Sequence, residues 1–336
     1  MTDRPRLKDV ARSAGVGAMT VSRVLNGGPV GSETMARVHD AMRRLNYHPD
    51  QLARSLRTRR THTLGLIVPR LSDPFFAAIT DSVSRIATRA GFALLIATTY
   101  SDSDLELKIV REMLSRRVDG LLFVPSENFP AGLIARETGE VKIVSIDQPV
   151  RGSRFDFVCA NNFEGASSAV NHLISHGHLR IACISTSDSQ HSLRERQEGY
   201  SSAIAEHGLT RFEVSPFAEG NSTAMMRFLL NGRDAPSAIF TTSWCGTIHV
   251  LNALRKLQIR IPDDIAVISF DDFDSANLLS VPLSALRQPA TEMGRAATER
   301  IIEHVQSKPN DSAPQVLMFS AELILRQSCG CKPGRS

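Results

Sequence analysis

Seven short runs, apolar almost from end to end, constrain this chain more than any other feature: Leu64–Val68, Ala93–Thr98, Gly120–Val124, Lys142–Ile146, Ile181–Ser185, Ala238–Thr241 and Ile265–Phe270. Between them lie longer stretches whose apolar residues recur at helical spacing, such as Phe76–Arg89, Leu105–Arg116, Gly165–His176, Arg194–Glu206 and Thr247–Leu257. A strand with one wet face alternates apolar and polar residues. A run without alternation is a strand covered on both faces, which predicts parallel sheets with crossover helices. The roughly 270 residues from position 63 onward exceed what one such sheet organises well, so two lobes are expected. Ligands in this architecture sit outside the carboxyl ends of the strands, and a cleft between two hinged lobes suits a small molecule.

The first 46 residues read differently. Leu7, Val10, Ala11 and Ala14 share one helical face, and Gly15-Val16-Gly17 breaks it. Val21, Val24 and Leu25 share the next face, and Asn26-Gly27-Gly28-Pro29 stops that helix. Two short helices around a glycine turn make a helix-turn-helix, with small Ala11 where the helices approach. Ser32 is expected to cap a third helix whose buried stripe is Met35, Val38, Met42 and Leu45. The second helix is the candidate reader of DNA. It turns outward Ala18, Met19, Thr20, Ser22 and Arg23. Arginine can grip guanine through paired hydrogen bonds, hydroxyls can reach phosphates or base edges, and small apolar groups can touch a thymine methyl.

Charge separates the same regions. Residues 1–60 carry twelve Lys and Arg against five Asp and Glu, whereas the remainder carries 27 against 30. A basic head on a faintly acidic body suits contact with phosphate. Pro49 ends the third helical stretch, and Asp50–Leu56 has the length of two helical turns with Asp50 as cap, too short to be stable alone in water.

The polar N-terminal residues lack the apolar core of an export signal, and no run has the ~18 apolar residues of a membrane span. Five cysteines at 159, 183, 245, 329 and 331, an odd and scattered set, fit a reducing compartment, so a cytoplasmic, nucleoid-associated protein without membrane contact is expected. No phosphate loop, nucleophile elbow or HExxH helix is present, and no cofactor or metal is expected. His172, His176 and His178 lie close in sequence, but a metal needs further ligands. Histidines near a helix C-terminus are more simply dipole partners. Cys329-Gly330-Cys331 is expected to be a polar tail without a role. Two other classes fit a two-lobed cleft. A carrier of transported sugars sits badly with the basic head and missing export signal, and an α/β enzyme sits badly with the absence of an identifiable acid–base pair or nucleophile.

Leu7-Lys8-Asp9-Val10-Ala11-Arg12-Ser13-Ala14-Gly15-Val16, then Thr20-Val21-Ser22-Arg23-Val24-Leu25-Asn26 and Leu45-Asn46-Tyr47-His48-Pro49, resembles the head of the lac repressor (LacI) family. The body resembles the same family, and through it periplasmic sugar-binding proteins, in Gly65-Leu66-Ile67-Val68-Pro69, Asp73-Pro74-Phe75-Phe76, Arg117-Val118-Asp119-Gly120-Leu121, Arg196…Gly199-Tyr200, Ile261-Pro262-Asp263-Asp264-Ile265, Phe270-Asp271-Asp272 and Arg287-Gln288-Pro289. Gly17 and Gly31 stand where the family commonly has serine, and Ser243-Trp244 stands where it usually has Asn-Asp.

The resemblance implies a helix-turn-helix head (1–46), a hinge with a helix (47–62), a two-lobed α/β periplasmic-binding-protein-like domain with parallel sheets (63–328) and a tail (329–336). Lobe 1 would take about 63–160 and 290–320, and lobe 2 about 161–289 and 321–328, with crossings near Asn161, Pro289 and Ser320. It implies a non-enzymatic, ligand-responsive repressor that binds a palindromic operator in double-stranded DNA as a homodimer. Ala18, Met19, Thr20, Ser22, Arg23 and Asn26 would meet DNA, with Leu56 as a minor-groove wedge beside Ala53 and Arg54 on phosphate. The effector, a sugar, sugar acid or related metabolite, would lie among Ser72, Asp73, Phe75, Asp147, Arg196, Trp244, Asp271 and Gln288. Met19-Thr20-Val21-Ser22-Arg23 is similar to gluconate-type repressors of the family, which with Arg196 points to a sugar acid.

Overall fold

The structure is a computed structural model, and it describes residues 5–25, 28–47, 60–127, 129–130, 132, 141–150, 152, 155–188, 190–218, 220–307 and 313–331. The chain forms two compact units, Met1–Thr61 and His62–Ser336.

In the first unit, helices α1 (Leu7–Ala14), α2 (Ala18–Leu25) and α3 (Ser32–Arg44) bury Val10, Ala11, Ala14, Val21, Val38 and Ala41 against one another. Gly15 ends α1 in the left-handed conformation at φ 63°, which glycine adopts without Cβ strain. Two expectations need correction. Ser32 is the first residue of α3, not its cap: Gly31 holds the capping position and supplies no side chain. Met35 is 40% exposed rather than buried, and small Ala41 takes the inner face instead. Val38, Met42 and Leu45 keep to the core, so Met35 alone leaves the expected stripe. Asn26, Ala53, Arg54 and Leu56 lie outside the described residues, as does most of the hinge.

The second unit contains two six-stranded sheets. Its elements, in chain order, are β1 (Thr63–Val68), α4 (Pro74–Arg89), β2 (Ala93–Thr98), α5 (Ser103–Ser115), β3 (Gly120–Phe123), β4 (Lys142–Ile146), β5 (Asp156–Ala160), α6 (Asn162–Ser175), β6 (Ile181–Ile184), α7 (His191–Glu206), β7 (Glu213–Val214), α8 (Ser222–Leu230), β8 (Ala238–Thr241), α9 (Trp244–Lys256), β9 (Ala266–Phe270), a short 3-10 turn, β10 (Ser284–Arg287), α10 (Ala290–Gln306), β11 (Val316–Phe319) and β12 (Glu322–Ile324). Lobe 1 has the order β11-β5-β4-β3-β1-β2, parallel throughout. Lobe 2 has the order β12-β10-β9-β8-β6-β7, parallel except for the antiparallel pair β10 and β12.

Not every apolar run is covered on both faces. β2 is an edge strand, and its Ile96 is 43% exposed. The chain passes between lobes after β5, after β10 and between β11 and β12. The first and last passages touch, where Asn161 N–H donates to Phe319 O at 2.7 Å. Two glycines permit close helix packing. A Cβ at Gly294 in α10 would meet Ile79 O of α4 at 2.9 Å, and one at Gly199 in α7 would collide with the Phe163 carbonyl of α6. The expected polar tail is also corrected. Cys329 is fully buried in the core of lobe 2, and Ser328 ties the segment to β9 by donating to Val267 O and to β10 by accepting from Ser284 N.

Candidate functional site

In the head, α2 starts on the backbone of Gly17, whose carbonyl accepts from Thr20 and Val21 N–H. Val21 points into the core. Around that anchor Met19 (74% exposed) and Arg23 point away from the core, Ala18 at the helix start also meets solvent, and Thr20 and Ser22 on the flanks are half-buried. The five described residues expected to read DNA all lie on α2.

The body carries a cleft of about 1430 Å³ at the carboxyl ends of both sheets. Ser72, Phe75, Trp244, Asp271 and Gln288 line it. Asp73, Asp147 and Arg196 stand behind that wall and interact electrostatically with Asp271. All eight expected residues therefore converge, but at two depths.

Strand ends create the acidic floor. Asp147 follows β4 and Asp271 follows β9, at equivalent places in the two lobes, and both have left-handed backbones, with φ 62° and 84°. Such conformations cost non-glycine residues energy and collect at functional sites. Asp73 caps α4 by accepting from Phe75 N–H at 3.0 Å. Burial, reinforced by the negative charge of Asp271, pushes the Asp73 carboxyl up to about 7. Burial also raises Asp147, although the Arg196 guanidinium opposes it.

Arg196 of α7 is almost fully buried and already committed. Its Nε donates to Asn162 Oδ1 at 2.8 Å and its Nη1 to Thr242 O at 2.8 Å. The guanidinium lies 3.7 Å from Asp271 Oδ2 and 3.7 Å from the centre of the Phe270 ring. Arg196 thus braces Asp271 and rests on an aromatic face. Asp271 also accepts from Trp244 N–H at 2.9 Å and Gln288 Nε2 at 2.5 Å. Trp244 opens α9, with its ring half-buried against the lobe 2 core and on the cleft wall.

Asp147 is less complete. Its Oδ2 accepts from Gln148 Nε2 at 3.0 Å and from Ser192 Oγ at 3.3 Å. Its Oδ1 is buried with no hydrogen-bond partner, and so is Gln288 Oε1. A buried polar atom left unpaired costs about 1–3 kcal/mol, so each of these oxygens can accept a further hydrogen bond.

Sequence reasoning missed four contributors. Asn162 and Thr242 hold Arg196, and Gln148 and Ser192 bridge the lobes, with Gln148 Nε2 donating to Ser192 Oγ at 2.6 Å and His191 N–H to Gln148 Oε1 at 2.9 Å. Asn162, Thr242 and Gln148 sit beside a crossing or a strand end, whereas Ser192, in the first turn of α7, carries no such signal. Asp272 also lines the cleft, but Arg287 and Arg326 engage both its oxygens.

Comparison with known proteins adds an independent line. Residues 6–50 match the family model described as bacterial regulatory proteins, lacI family, and residues 170–329 match one described as a periplasmic binding protein-like domain. The ribose operon repressor of Escherichia coli (strain K12) is 34% identical over 305 residues, covering 89% of this chain and 92% of that one. The HTH-type transcriptional repressor PurR of Photobacterium profundum is 31% identical over 334 residues, covering 96% and 98%. Among solved structures, a transcriptional regulator CelR–cellobiose complex has 29% identity, a TM-score of 0.71 and coverage of 97% and 100%. The lac repressor dimer bound to operator and the anti-inducer ONPF shares the fold at a TM-score of 0.84 and 21% identity, with coverage of 97% and 99%.

Proposed function

The chain belongs to the lacI family of bacterial regulatory proteins, and from that premise we propose that it is a transcription repressor whose hold on DNA is set by a small sugar bound between its lobes. In this reading residues 1–46 are the reading head, 47–62 the hinge and 63–328 the sensor. A homodimer matches a palindromic operator, because two-fold protein symmetry meets two-fold DNA symmetry. Ala18, Met19, Thr20, Ser22 and Arg23 face the bases and phosphates, and Asn26, Ala53, Arg54 and Leu56 complete the contact. The protein works in the cytoplasm, on the nucleoid, and the cleft binds its guest without turning it over.

The observation that carries the sugar assignment is the pair of unpartnered buried oxygens, Asp147 Oδ1 and Gln288 Oε1. Hydroxyl groups supply the missing donors. Among Asp73, Asp147 and Asp271, a sugar acid would bring a further negative charge while the Arg196 Nε and Nη1 are already used. The balance favours a neutral sugar over a sugar acid. Phe75 and Trp244 offer apolar surface to a ring face. The similar CelR protein was solved with cellobiose, and the ribose operon repressor is named for a sugar operon.

A thermal-shift screen of neutral sugars, sugar acids and nucleobases, repeated with operator DNA, tests this. A ligand at a hundred times its Kd stabilises by about 2.7 kcal/mol. A neutral sugar should raise Tm and alter operator affinity. A Tm response confined to sugar acids or nucleobases would overturn the neutral-sugar assignment, and a ligand that leaves operator affinity unchanged would overturn the regulatory coupling.

A further inference from the structure

Beyond β12 the chain returns to α6 and sets a thiol between two imidazoles. Cys331 Sγ lies 3.4 Å from His172 Nε2 and 3.3 Å from His176 Nε2. The candidate ligand atoms of the three residues all fall within 4.8 Å of one another. His172 and His176 are four residues apart in α6, so the helix period puts both rings on one face, with centroids 4.3 Å apart. His178 is not part of this group, because its Nδ1 pairs with Ser237 Oγ at 3.0 Å.

The spacing is that of ligands around a tetrahedral ion. Zinc bonds of about 2.3 Å to sulfur and about 2.0–2.1 Å to nitrogen, at a tetrahedral angle, put sulfur and nitrogen about 3.5 Å apart. The tautomer also fits. His176 Nδ1 donates to the His172 carbonyl at 3.0 Å, which leaves the lone pair on Nε2, the atom facing Cys331. The thiol is held in place because Cys329, two residues before it, is fully buried in the lobe 2 core. Cys331 is half-buried and His176 exposed, so an ion has a path in and room for a water as fourth ligand.

We propose that His172, His176 and Cys331 form a zinc site that fastens the C-terminal segment to α6. One thiolate and two imidazoles select a borderline-soft ion such as zinc over magnesium or calcium, which prefer oxygen. The proposal does not depend on the effector reading.

The experiment uses the full, untagged chain, reduced, stripped with a chelator and titrated with Zn2+ alone against a chromophoric competitor. One equivalent should bind. Co2+ in its place should give visible bands of tetrahedral cobalt and a thiolate-to-cobalt charge-transfer band in the near ultraviolet. Cys331→Ser should lose that band and at least about a hundredfold in zinc affinity, and His176→Gln, altered at an exposed position, should lose at least about tenfold. Cys245→Ser serves as control, since Cys245 Sγ lies 3.9 Å from His249 Nε2. It should keep both the band and the affinity. Absence of stoichiometric zinc binding, an octahedral cobalt spectrum, or unchanged affinity in Cys331→Ser would overturn the proposal. Loss of the band in Cys245→Ser would do so as well.

Discussion

Asp147 and Asp271 invite comparison because topology treats them alike and their surroundings do not. Each follows a parallel strand at the cleft end of its sheet and has a left-handed backbone, Asp271 on the cleft wall and Asp147 behind it. Asp271 in lobe 2 has its charge and both oxygens engaged by Arg196, Trp244 N–H and Gln288. Asp147 in lobe 1 keeps one buried oxygen without a partner. The difference teaches a division of labour. Lobe 2 presents a finished wall whose carboxylate is a framework element, and lobe 1 keeps an open acceptor that the proposed sugar would fill.

The sharpest way to break this comparison is to remove each carboxylate in turn. Asp271→Ala strands the buried Arg196 without its counter-ion and should destabilise the unliganded protein by about 3–5 kcal/mol, read by chemical denaturation. Asp147→Asn should leave stability level or improved, because a costly buried carboxyl goes. It should weaken sugar binding by roughly 1.5–3 kcal/mol, about 10- to 150-fold in Kd by calorimetry. Exchanged outcomes, with Asp147→Asn unfolding the protein and Asp271→Ala only weakening the ligand, would reverse the assignment of roles.

Proton linkage sharpens the picture further. Asp73, raised to about 7 from 3.8, holds its proton more tightly folded than unfolded. Its contribution is therefore fully present below the unfolded value and lost as pH rises through about 7. Unliganded stability should fall across that window, and Asp73→Asn should flatten the fall in a pH series of Tm. A guest that donates hydroxyl hydrogens favours the ionised carboxylates, so sugar affinity should tighten over the same rise in pH. The smallest effect is expected from Ser192→Ala, which removes one hydroxyl shared by Asp147 and Gln148 across the lobes. About 0.5–1.5 kcal/mol of lobe closure should be lost, visible as a modest rise in sugar Kd.

The sequence made some of this legible and hid the rest for physical reasons. Most strands inside the two sheets are largely apolar because they are covered on both faces. β5 escaped because its first residue is Asp156, a buried acid satisfied by Arg300, His304 and the Gln315 N–H. β11 and β12 escaped because edge strands are short and half-wet, with Val316 61% exposed. The aspartates of the site could be found since parallel strands deliver their carboxyl ends to one place. The partners that decide what each aspartate does could not, because Arg196 meets Asn162 and Thr242 only after the helices have packed. Cys331 was invisible for the same reason: it meets His172 across 159 positions of chain.

Among the described strands β12 alone runs against its sheet, and that has a consequence of its own. β11 ends at Phe319 and β12 begins at Glu322, paired with Arg287 at the carboxyl end of β10. With only two residues between them, the chain has no length to travel round lobe 2 and must enter from the cleft side, heading the opposite way to its neighbours. It therefore emerges at the amino ends of the strands, where Ser328 meets Val267 and Ser284. The distal pole of lobe 2 is thus reached along β12 itself, by way of a two-residue crossing at the cleft. A load on that pole would run back along β12 to the crossing, where Ser320 and Glu322 stand at the cleft.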